Sequence, residues 1–292
     1  MKNHTVDLAA DTRCVLGEGP VWWQGGLWFV DIESRRVHRL EPDSGRVEAF
    51  DVPGRVGFAW PTSGGDWLIG QDALIARWSP ERGAPEVVLD VEPSDAGVRL
   101  NDGACDPTGR LYAGTMHLDA AAQVGALFRF DATGGSLQAE RVVRGVTISN
   151  GLAWDESRQT MYYIDTPTRR IDAFDWDADS GEISNRRPVV ALDHGVPDGM
   201  CIDRDGALWV AMWGGSRVAK VDPIAGREVG SIPLPCAHVT SCCFGGGALD
   251  RLWITTARVG LDAISLEAQP RAGGVFVADV GAAGFETSPA RM

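Results

Sequence analysis

The sequence predicts an all-β protein, a six-bladed β-propeller with four antiparallel strands in each blade. One pattern returns six times: turn residues, a short apolar run that contains Trp or Tyr, and a second short run that closes on Asp or Pro. Successive aromatic anchors lie 39, 45, 50, 47 and 44 residues apart, and a strand-built repeat of that length is the signature of a propeller. The anchors are Trp28, Trp67, Tyr112, Tyr162, Trp209 and Trp253.

A second strand pattern follows each anchor after about ten residues, and in it apolar and polar residues alternate. Examples are residues 37–40 (VHRL), 75–78 (IARW) and 127–130 (LFRF). Such alternation is typical of half-buried strands, and the runs end in turn residues such as those at 41–45 (EPDSG). The pattern predicts blades built of antiparallel hairpins and no helix longer than one or two turns.

A propeller must also close its ring. Residues 5–9 (TVDLA) have strand character but no partner within the first repeat. We expect them to complete the last blade beside residues 274–277 (GVFV), because that pairing removes a loose sheet edge. The six repeats then belong to a single domain that spans residues 1–292, although a chain of this length has room for two domains.

The charge of the chain is strongly negative. Lys and Arg number 27 and Asp and Glu number 40, which gives a net charge of −13. This charge repels phosphate backbones and no basic cluster offsets it, so nucleic acid is not an expected partner. With 44% apolar and 23% charged residues, the composition is that of a globular protein with a sizeable core.

The sequence gives little indication of a membrane segment, a signal peptide or a cysteine-bound zinc ion. No segment is apolar over a membrane-spanning length, the N-terminal residues lack the apolar core of a signal peptide, and the six cysteines show no zinc-finger spacing. We therefore expect a cytoplasmic protein with reduced thiols and no membrane partner. No two histidines stand at metal-binding spacing, and we expect His38 at the surface and His238 in packing. His117 and His194 lie in segments that could loop over the channel mouth, where a surface or packing role is favoured over substrate contact.

The segments just before the anchors are expected to line the central channel, because the first strand of a blade lies innermost. Four of them, residues 16–22, 99–103, 148–152 and 196–200, have a carboxylate or an amide beside a glycine. Oxygen atoms that converge from several strands suit a hard divalent cation. Asp-Gly and Asn-Gly are also common turn dipeptides, so each segment alone has a structural explanation, but four in the same phase favour a site.

The sequence resembles the regucalcin/gluconolactonase family, whose members are also called senescence marker proteins. The similarity runs nearly end to end and rests on long ordered strings rather than on a single motif. These strings include residues 17–22 (GEGPVW), 99–103 (RLNDG), 148–152 (ISNGL), 197–203 (PDGMCID) and 240–246 (TSCCFGG).

The resemblance implies a six-bladed propeller that hydrolyses sugar lactones with the help of one divalent metal ion. In that family a Glu, an Asn and an Asp hold the metal, and they fall here on Glu18, Asn150 and Asp198. The family's substrate-binding Arg and Asn fall on Arg99 and Asn101. The family Asp at position 198 is also the proposed proton-transfer group.

One departure from the family pattern follows Met116, where vertebrate members have an acidic substrate-contacting residue. No clear equivalent stands here, and His117 and Asp119 are the candidates for that place. An all-oxygen ligand set with one amide favours Ca²⁺, Mg²⁺ or Mn²⁺, with Zn²⁺ and Fe²⁺ also admissible. Ser149 is interpreted as a strand hydroxyl, since the sequence contains no Gly-x-Ser-x-Gly nucleophile elbow.

The predicted function is thus hydrolysis of an aldonolactone to its aldonic acid by a monomer or small homo-oligomer. Two alternatives stay open. A propeller without chemistry would act as a binding module for partner proteins. A lactonase or esterase of the paraoxonase type would keep the metal but take a non-sugar substrate; Arg99 favours a polyhydroxylated substrate over an apolar ester.

Overall fold

The computed structural model describes residues 5–92, 97–133 and 136–292, and these residues form six four-stranded antiparallel sheets arranged as six blades. Blades 1 to 5 each use four consecutive strands, whereas blade 6 combines the last three strands with the first. The predicted six-bladed β-propeller is therefore confirmed. That residues 1–292 form one domain stays a prediction, which the closed ring supports.

The strands are short, and each blade begins with its innermost strand. Blades 1 to 3 consist of β2 (Gly17–Trp23), β3 (Gly26–Asp31), β4 (Arg36–Glu41), β5 (Arg46–Asp51), β6 (Val56–Pro61), β7 (Trp67–Gln71), β8 (Leu74–Trp78), β9 (Glu86–Asp90), β10 (Val98–Cys105), β11 (Leu111–His117), β12 (Gly125–Thr133) and β13 (Ser136–Val146). Blades 4 to 6 consist of β14 (Ser149–Asp155), β15 (Thr160–Asp165), β16 (Arg170–Trp176), β17 (Ile183–Ala191), β18 (Val196–Ile202), β19 (Leu208–Trp213), β20 (Arg217–Asp222), β21 (Arg227–Pro233), β22 (Val239–Gly245), β23 (Arg251–Thr256), β24 (Val275–Asp279) and β1 (Val6–Ala10).

The aromatic anchors hold neighbouring blades together. All six lie on the second strand of their blade and are buried. The rings of Trp28 and Trp67 face each other across the junction of blades 1 and 2 with centroids 4.4 Å apart, and apolar clusters fill the junctions between blades. Because large aromatic side chains bury much area, their regular spacing in the sequence reports the regular stacking of the blades.

Helical structure is limited to three short elements in the described part of the chain. The helix α1 (Ala263–Ala268) begins after Asp262, whose side chain accepts a hydrogen bond from Ser265 N at 2.8 Å. Two 3₁₀ turns cover Glu156–Arg158 and Thr166–Thr168. None of the helices within residues 5–92, 97–133 and 136–292 has the length and apolarity needed to cross a membrane.

The N-terminal strand closes the ring as the sequence predicts. β1 is the outer strand of blade 6 and pairs with β24, in a register that places Val6 opposite Ala278 and Leu8 opposite Phe276. Further along the chain, Cys14 N donates a hydrogen bond to Gly273 O at 2.8 Å. The segment between β1 and β2 therefore joins blade 6 to blade 1.

The six innermost strands, β2, β6, β10, β14, β18 and β22, contact one another in sequence around the axis. Each of them shifts its pairing register close to its beginning, so a bulge lies at the same level in every blade. A bulge bends the strand and re-aims the side chains beside it. All six bulges lie at one end of the channel.

The opposite end of the channel contains a cavity of about 370 Å³ that the C-terminal segment partly covers. Trp60 Nε1 donates a hydrogen bond to Ser288 O at 2.9 Å, and Thr287 Oγ1 donates to Trp22 O at 2.8 Å. Ala290 forms an isolated bridge with Thr62. The C-terminal segment thus crosses from blade 6 to blade 2.

Candidate metal and substrate site

The predicted site residues gather at the bulged end of the channel. Glu18 lies at the bulge of β2, Asn101 at that of β10, Asn150 at that of β14 and Asp198 at that of β18. All four are buried. The bulges explain the convergence, because they turn side chains from four blades at one level toward the axis.

A chain of hydrogen bonds joins three blades across this end. Arg99 Nη1 donates to Asn101 Oδ1 at 2.6 Å, and Asn101 Nδ2 donates to Asn150 Oδ1 at 2.9 Å. Asn150 Nδ2 donates to Thr166 Oγ1 at 2.8 Å, and Thr166 Oγ1 donates to Pro197 O at 2.9 Å. The chain fixes both amide side chains, so that the Asn150 oxygen has a defined direction.

The buried carboxyl groups of Glu18 and Asp198 act on the guanidinium of Arg99, and the half-buried Asp102 acts on both of these carboxyl groups. Burial, followed by the charge of Asp102, raises the pKa of Glu18 to about 8, and Arg99 opposes the shift. Burial, followed by the charges of Glu18 and Asp102, raises the pKa of Asp198 well above its usual range. Burial raises the pKa of Asp102 to about 6 and lowers the pKa of Arg99 to about 10.

Burial is the first cause of each raised pKa, and neighbouring negative charges add to it for Glu18 and Asp198. If Glu18, Asp102 and Asp198 are all ionised, Arg99 balances one charge and leaves two uncompensated. Buried charges need partners, and two unit charges are what a divalent cation brings. The oxygen donors of Glu18, Asn150 and Asp198 suit a hard ion, so the residues present fit the metal that the family resemblance implies.

His117 and Asp119 lie at the rim of this end. His117 ends β11 and pairs with Val98, one step from the pair of Arg99 and Met116. Its Nδ1 accepts a hydrogen bond from Asp119 N at 3.1 Å, and Asp119 is exposed. Both residues thus lie near Arg99 on the neighbouring strand, and their role in substrate contact stays a prediction.

The sequence interpretation missed four residues at the site. Asp102 was part of a predicted channel segment but received no role, although its charge acts on two neighbouring carboxyl groups. Thr166 completes the hydrogen-bond chain from a 3₁₀ turn. Glu33 has the largest charge effect on the pKa of Arg99, and Arg55 Nε lies 3.1 Å from Glu33 Oε2. Only Asp102 left a signal in the sequence, because it neighbours Asn101 in an Asn-Asp-Gly string.

The histidines differ in burial and in packing. The expectation that His38 lies at the surface is wrong: its side chain is 7% exposed and its ring stacks on Phe29 with centroids 4.9 Å apart. His238 packs as expected, stacked on Trp213 at 3.9 Å. His194 has a strongly exposed side chain.

Comparisons with known proteins agree with this architecture. The model of the SMP-30/Gluconolactonase/LRE-like region matches residues 16–258, and the chain belongs to that family of propellers. Among its relatives is the protein named "Putative sugar lactone lactonase YvrE" from Bacillus subtilis, which is 37% identical over 286 residues and 97% of each chain. Regucalcin of Gallus gallus is 36% identical over 301 residues and 99% of each chain.

A solved structure shows the same fold over its whole length. The calcium-binding protein regucalcin from Agrobacterium tumefaciens superposes with a TM-score of 0.93 at 25% sequence identity, over 99% of this chain and 98% of that one. The resemblance predicted from the ordered sequence strings is therefore confirmed.

Proposed function

We propose that the chain is a metal-dependent sugar lactonase that hydrolyses a five- or six-carbon aldonolactone to the corresponding aldonic acid. The family and the named lactonase relative support the sugar-lactonase class. The observation that supports the metal and the site is the buried pair of Glu18 and Asp198 near Arg99, with Asp102 acting on both carboxyl groups and the Asn150 oxygen oriented by Asn101.

The chain's own residues divide the work between binding and proton transfer. A divalent ion on Glu18, Asn150 and Asp198 would supply Lewis acidity to the lactone carbonyl, worth several kcal/mol. Asp198 accepts a proton from the attacking water and returns it to the leaving alkoxide, a contribution of about 10²–10⁴-fold. Arg99 and Asn101 donate hydrogen bonds to the sugar oxygens and hold the ring in place.

The alternatives are weaker for specific reasons. A binding module has no need of carboxylates buried with uncompensated charge, since such groups cost stability. An apolar ester has no groups to match the donors of Arg99 and Asn101, which would then lose their solvation without a partner. Sugar hydroxyls supply those partners, and this favours the aldonolactone.

The proposed setting follows from charge and thiol chemistry. The net charge of −13 argues against nucleic acid. All six cysteines are free, as is usual for a protein kept in a reducing cytoplasm. The partner is a small sugar lactone, and the protein works as a monomer or a small homo-oligomer.

Chelation tests the proposal directly. Proton release would be followed on a panel of aldonolactones, one aliphatic lactone and one aryl ester, before and after treatment with a chelator. We expect hydrolysis of at least one aldonolactone and a loss of about 10²-fold or more on metal removal, because the several kcal/mol from the ion disappear. Readdition of Ca²⁺, Mg²⁺, Mn²⁺ or Zn²⁺ should restore the rate.

Three results would contradict parts of this proposal. Hydrolysis that persists after chelation would contradict a role for the metal in the reaction. Activity confined to the aliphatic lactone or the aryl ester would indicate an enzyme of the non-sugar type. No hydrolysis of any compound, with the fold intact by circular dichroism, would favour a binding module.

Replacement of Ser149 separates this mechanism from one with a serine nucleophile. Ser149 is fully buried, and its Oγ accepts a hydrogen bond from Tyr163 OH at 2.8 Å. Ser149→Ala should therefore leave kcat for the aldonolactone within about threefold, while it lowers the free energy of unfolding by about 1–2 kcal/mol through the unpaired Tyr163 hydroxyl. Denaturant titration and steady-state kinetics measure the two quantities; a collapse of kcat in a folded variant would favour a nucleophilic serine.

A further inference from the structure

A second cluster of chemically active side chains lies in blade 1, apart from the channel site. Cys14 belongs to the segment between β1 and β2, Asp31 ends β3, and His38 lies in β4. One ligand atom from each side chain lies within 4.8 Å of the others, and all three residues are buried. The cluster lies beside the apolar core at the junction of blades 6 and 1, to which Cys14 and Phe29 contribute.

Among the described residues, His38 lacks the hydrogen-bond partners that a buried imidazole needs. Neither of its ring nitrogens has a hydrogen-bond partner within the part of the chain that the structure describes, and its side chain is 7% exposed. A buried polar group without a partner costs free energy, and nearly all such groups in proteins are satisfied. One of these nitrogens points into the group formed with Cys14 and Asp31.

Asp31 alone has a structural explanation, as blade 4 shows. Asp31 accepts hydrogen bonds from two consecutive backbone N–H groups of the segment that precedes β2. Asp165, at the same place in blade 4, accepts from two consecutive N–H groups in the same way. The carboxylate therefore anchors the entry to the blade in both cases, and this role requires neither a thiol nor an imidazole beside it.

The neighbours of this carboxylate differ between the two blades. The position of His38, which pairs with Phe29, is occupied in blade 4 by Asp172, which pairs with Tyr163. Asp172 is satisfied by ion pairs with two arginines. In blade 1 the nearby Arg36 is engaged with Asp51 instead, at 2.8 Å. The imidazole thus stands where blade 4 has a fully paired side chain.

We propose that Cys14, Asp31 and His38 form a second metal site, which binds Zn²⁺ and serves the structure rather than the reaction. Thiolate, imidazole and carboxylate are the ligands that Zn²⁺ takes in proteins, whereas Ca²⁺ and Mg²⁺ require oxygen. Thr12 Oγ1 lies 3.4 Å from Cys14 Sγ and is the nearby oxygen for a fourth position. The donor set differs in kind from the all-oxygen set in the channel.

Charge and geometry both suit this ion. A Cys14 thiolate and the Asp31 carboxylate bring two negative charges, so Zn²⁺ with a neutral His38 leaves no net charge buried. Binding would release the thiol proton of Cys14 to solvent, because the thiolate is the ligand form. Tetrahedral Zn²⁺ separates its ligand atoms by about 3.5 Å, and the ligand atoms of the three side chains lie within 4.8 Å of one another.

The position of the site indicates a role in holding the closed ring together. It links the segment that follows the ring-closing strand β1 to the second and third strands of blade 1. A metal bound only by the folded protein stabilises the fold by mass action. Zn²⁺ here therefore strengthens the junction at which the two ends of the ring meet.

Titration with Co²⁺ tests the site without any measurement of activity. Chelator-treated protein is titrated with CoCl₂, and the thiolate-to-Co²⁺ charge-transfer absorption is followed in the near ultraviolet. We expect this band to saturate at one ion per chain and to disappear when Zn²⁺ is added. Because the channel site contains no sulfur, Co²⁺ bound there contributes no such band.

Four variants complete the experiment. The band should be lost in Cys14→Ser and in His38→Phe, and the second of these keeps an aromatic ring against Phe29 in case the first folds poorly. It should persist in Glu18→Gln, which alters only the channel site, and in Cys236→Ser, which removes a different buried thiol. Absence of the band in the wild-type protein, or its persistence in both Cys14→Ser and His38→Phe, would overturn the proposal, whatever the fate of the lactonase assignment.

Discussion

Replacement of Asp198 by asparagine is expected to lower kcat for aldonolactone hydrolysis by about 10³–10⁴-fold. Asn keeps the shape of the side chain but can neither accept the proton of the attacking water nor neutralise a divalent ion. Two functions are lost together, which makes this the largest effect of a single substitution at the site. Steady-state kinetics at saturating metal and substrate measure it, and metal content is determined on the same samples.

Asp198→Asn should raise the stability of the metal-free protein, although it lowers kcat. Asp198 is buried beside Glu18 and Asp102, and burial with these like charges raises its pKa. At neutral pH the carboxyl group therefore costs the metal-free fold free energy, either as a buried charge or as a captured proton. Metal-free Asp198→Asn should unfold at a higher temperature than the metal-free wild-type protein. Groups kept at such a cost are typical of functional sites.

Asp193→Asn is the matched control for Asp198→Asn. Asp193 has an exposed side chain close before β18, so its replacement changes the net charge by the same amount without touching the channel. Equal losses of kcat in the two variants would show a general charge effect. Unchanged kcat in Asp198→Asn would remove this residue from the reaction.

Gly57→Ala is expected to lower the free energy of unfolding by about 3 kcal/mol, the upper end of the usual range for overpacking. Gly57 lies at the bulge of β6, and a Cβ atom there would stand 2.5 Å from both Leu100 O and Asn101 O. Both oxygens belong to the backbone of β10, which cannot yield as the tip of a side chain would. Urea denaturation measures the loss.

The same methyl group should disturb substrate binding, because β10 also presents Arg99 and Asn101. We expect KM to rise together with the loss of stability. Gly230→Ala provides the matched control: Gly230 lies in the outer strand β21, and its Cβ would meet nothing closer than Lys220 Cβ at 4.0 Å. That change should stay within about 0.5 kcal/mol. Similar losses of stability in Gly57→Ala and Gly230→Ala would mean that crowding of a Cβ at position 57 against β10 is not the cause.

The blades could be predicted from the sequence because each junction between blades needs the same kind of side chain at the same height. Each junction needs a large aromatic side chain at the same height, and Trp28 and Trp67 meet that demand in direct contact. The placement of Glu18, Asn150 and Asp198 on innermost strands could be predicted for a related reason, since the first strand of each blade must face the axis. The bulges could not be predicted, because pairing register is a property of two strands together.

The error at His38 has a physical origin. Alternation in a strand predicts exposure only when one face of the sheet meets solvent. The middle strands of a propeller blade are covered on both faces by neighbouring blades, and in β4 both Val37 and His38 are buried. Asp102, Thr166 and the pair of Glu33 and Arg55 were missed because their importance comes from contacts between blades, which no local pattern encodes.

The pairing of β1 with β24 sets an order of events during synthesis. The ribosome releases Val6–Ala10 first among the described strands, and its partner Val275–Asp279 emerges last, some tens of seconds later at about 5–20 residues per second. Throughout that interval the earliest strand has no neighbour to hydrogen-bond with. The ring therefore cannot close until Val275–Asp279 has been made, and any catalytic competence that depends on an intact ring is acquired only after that point.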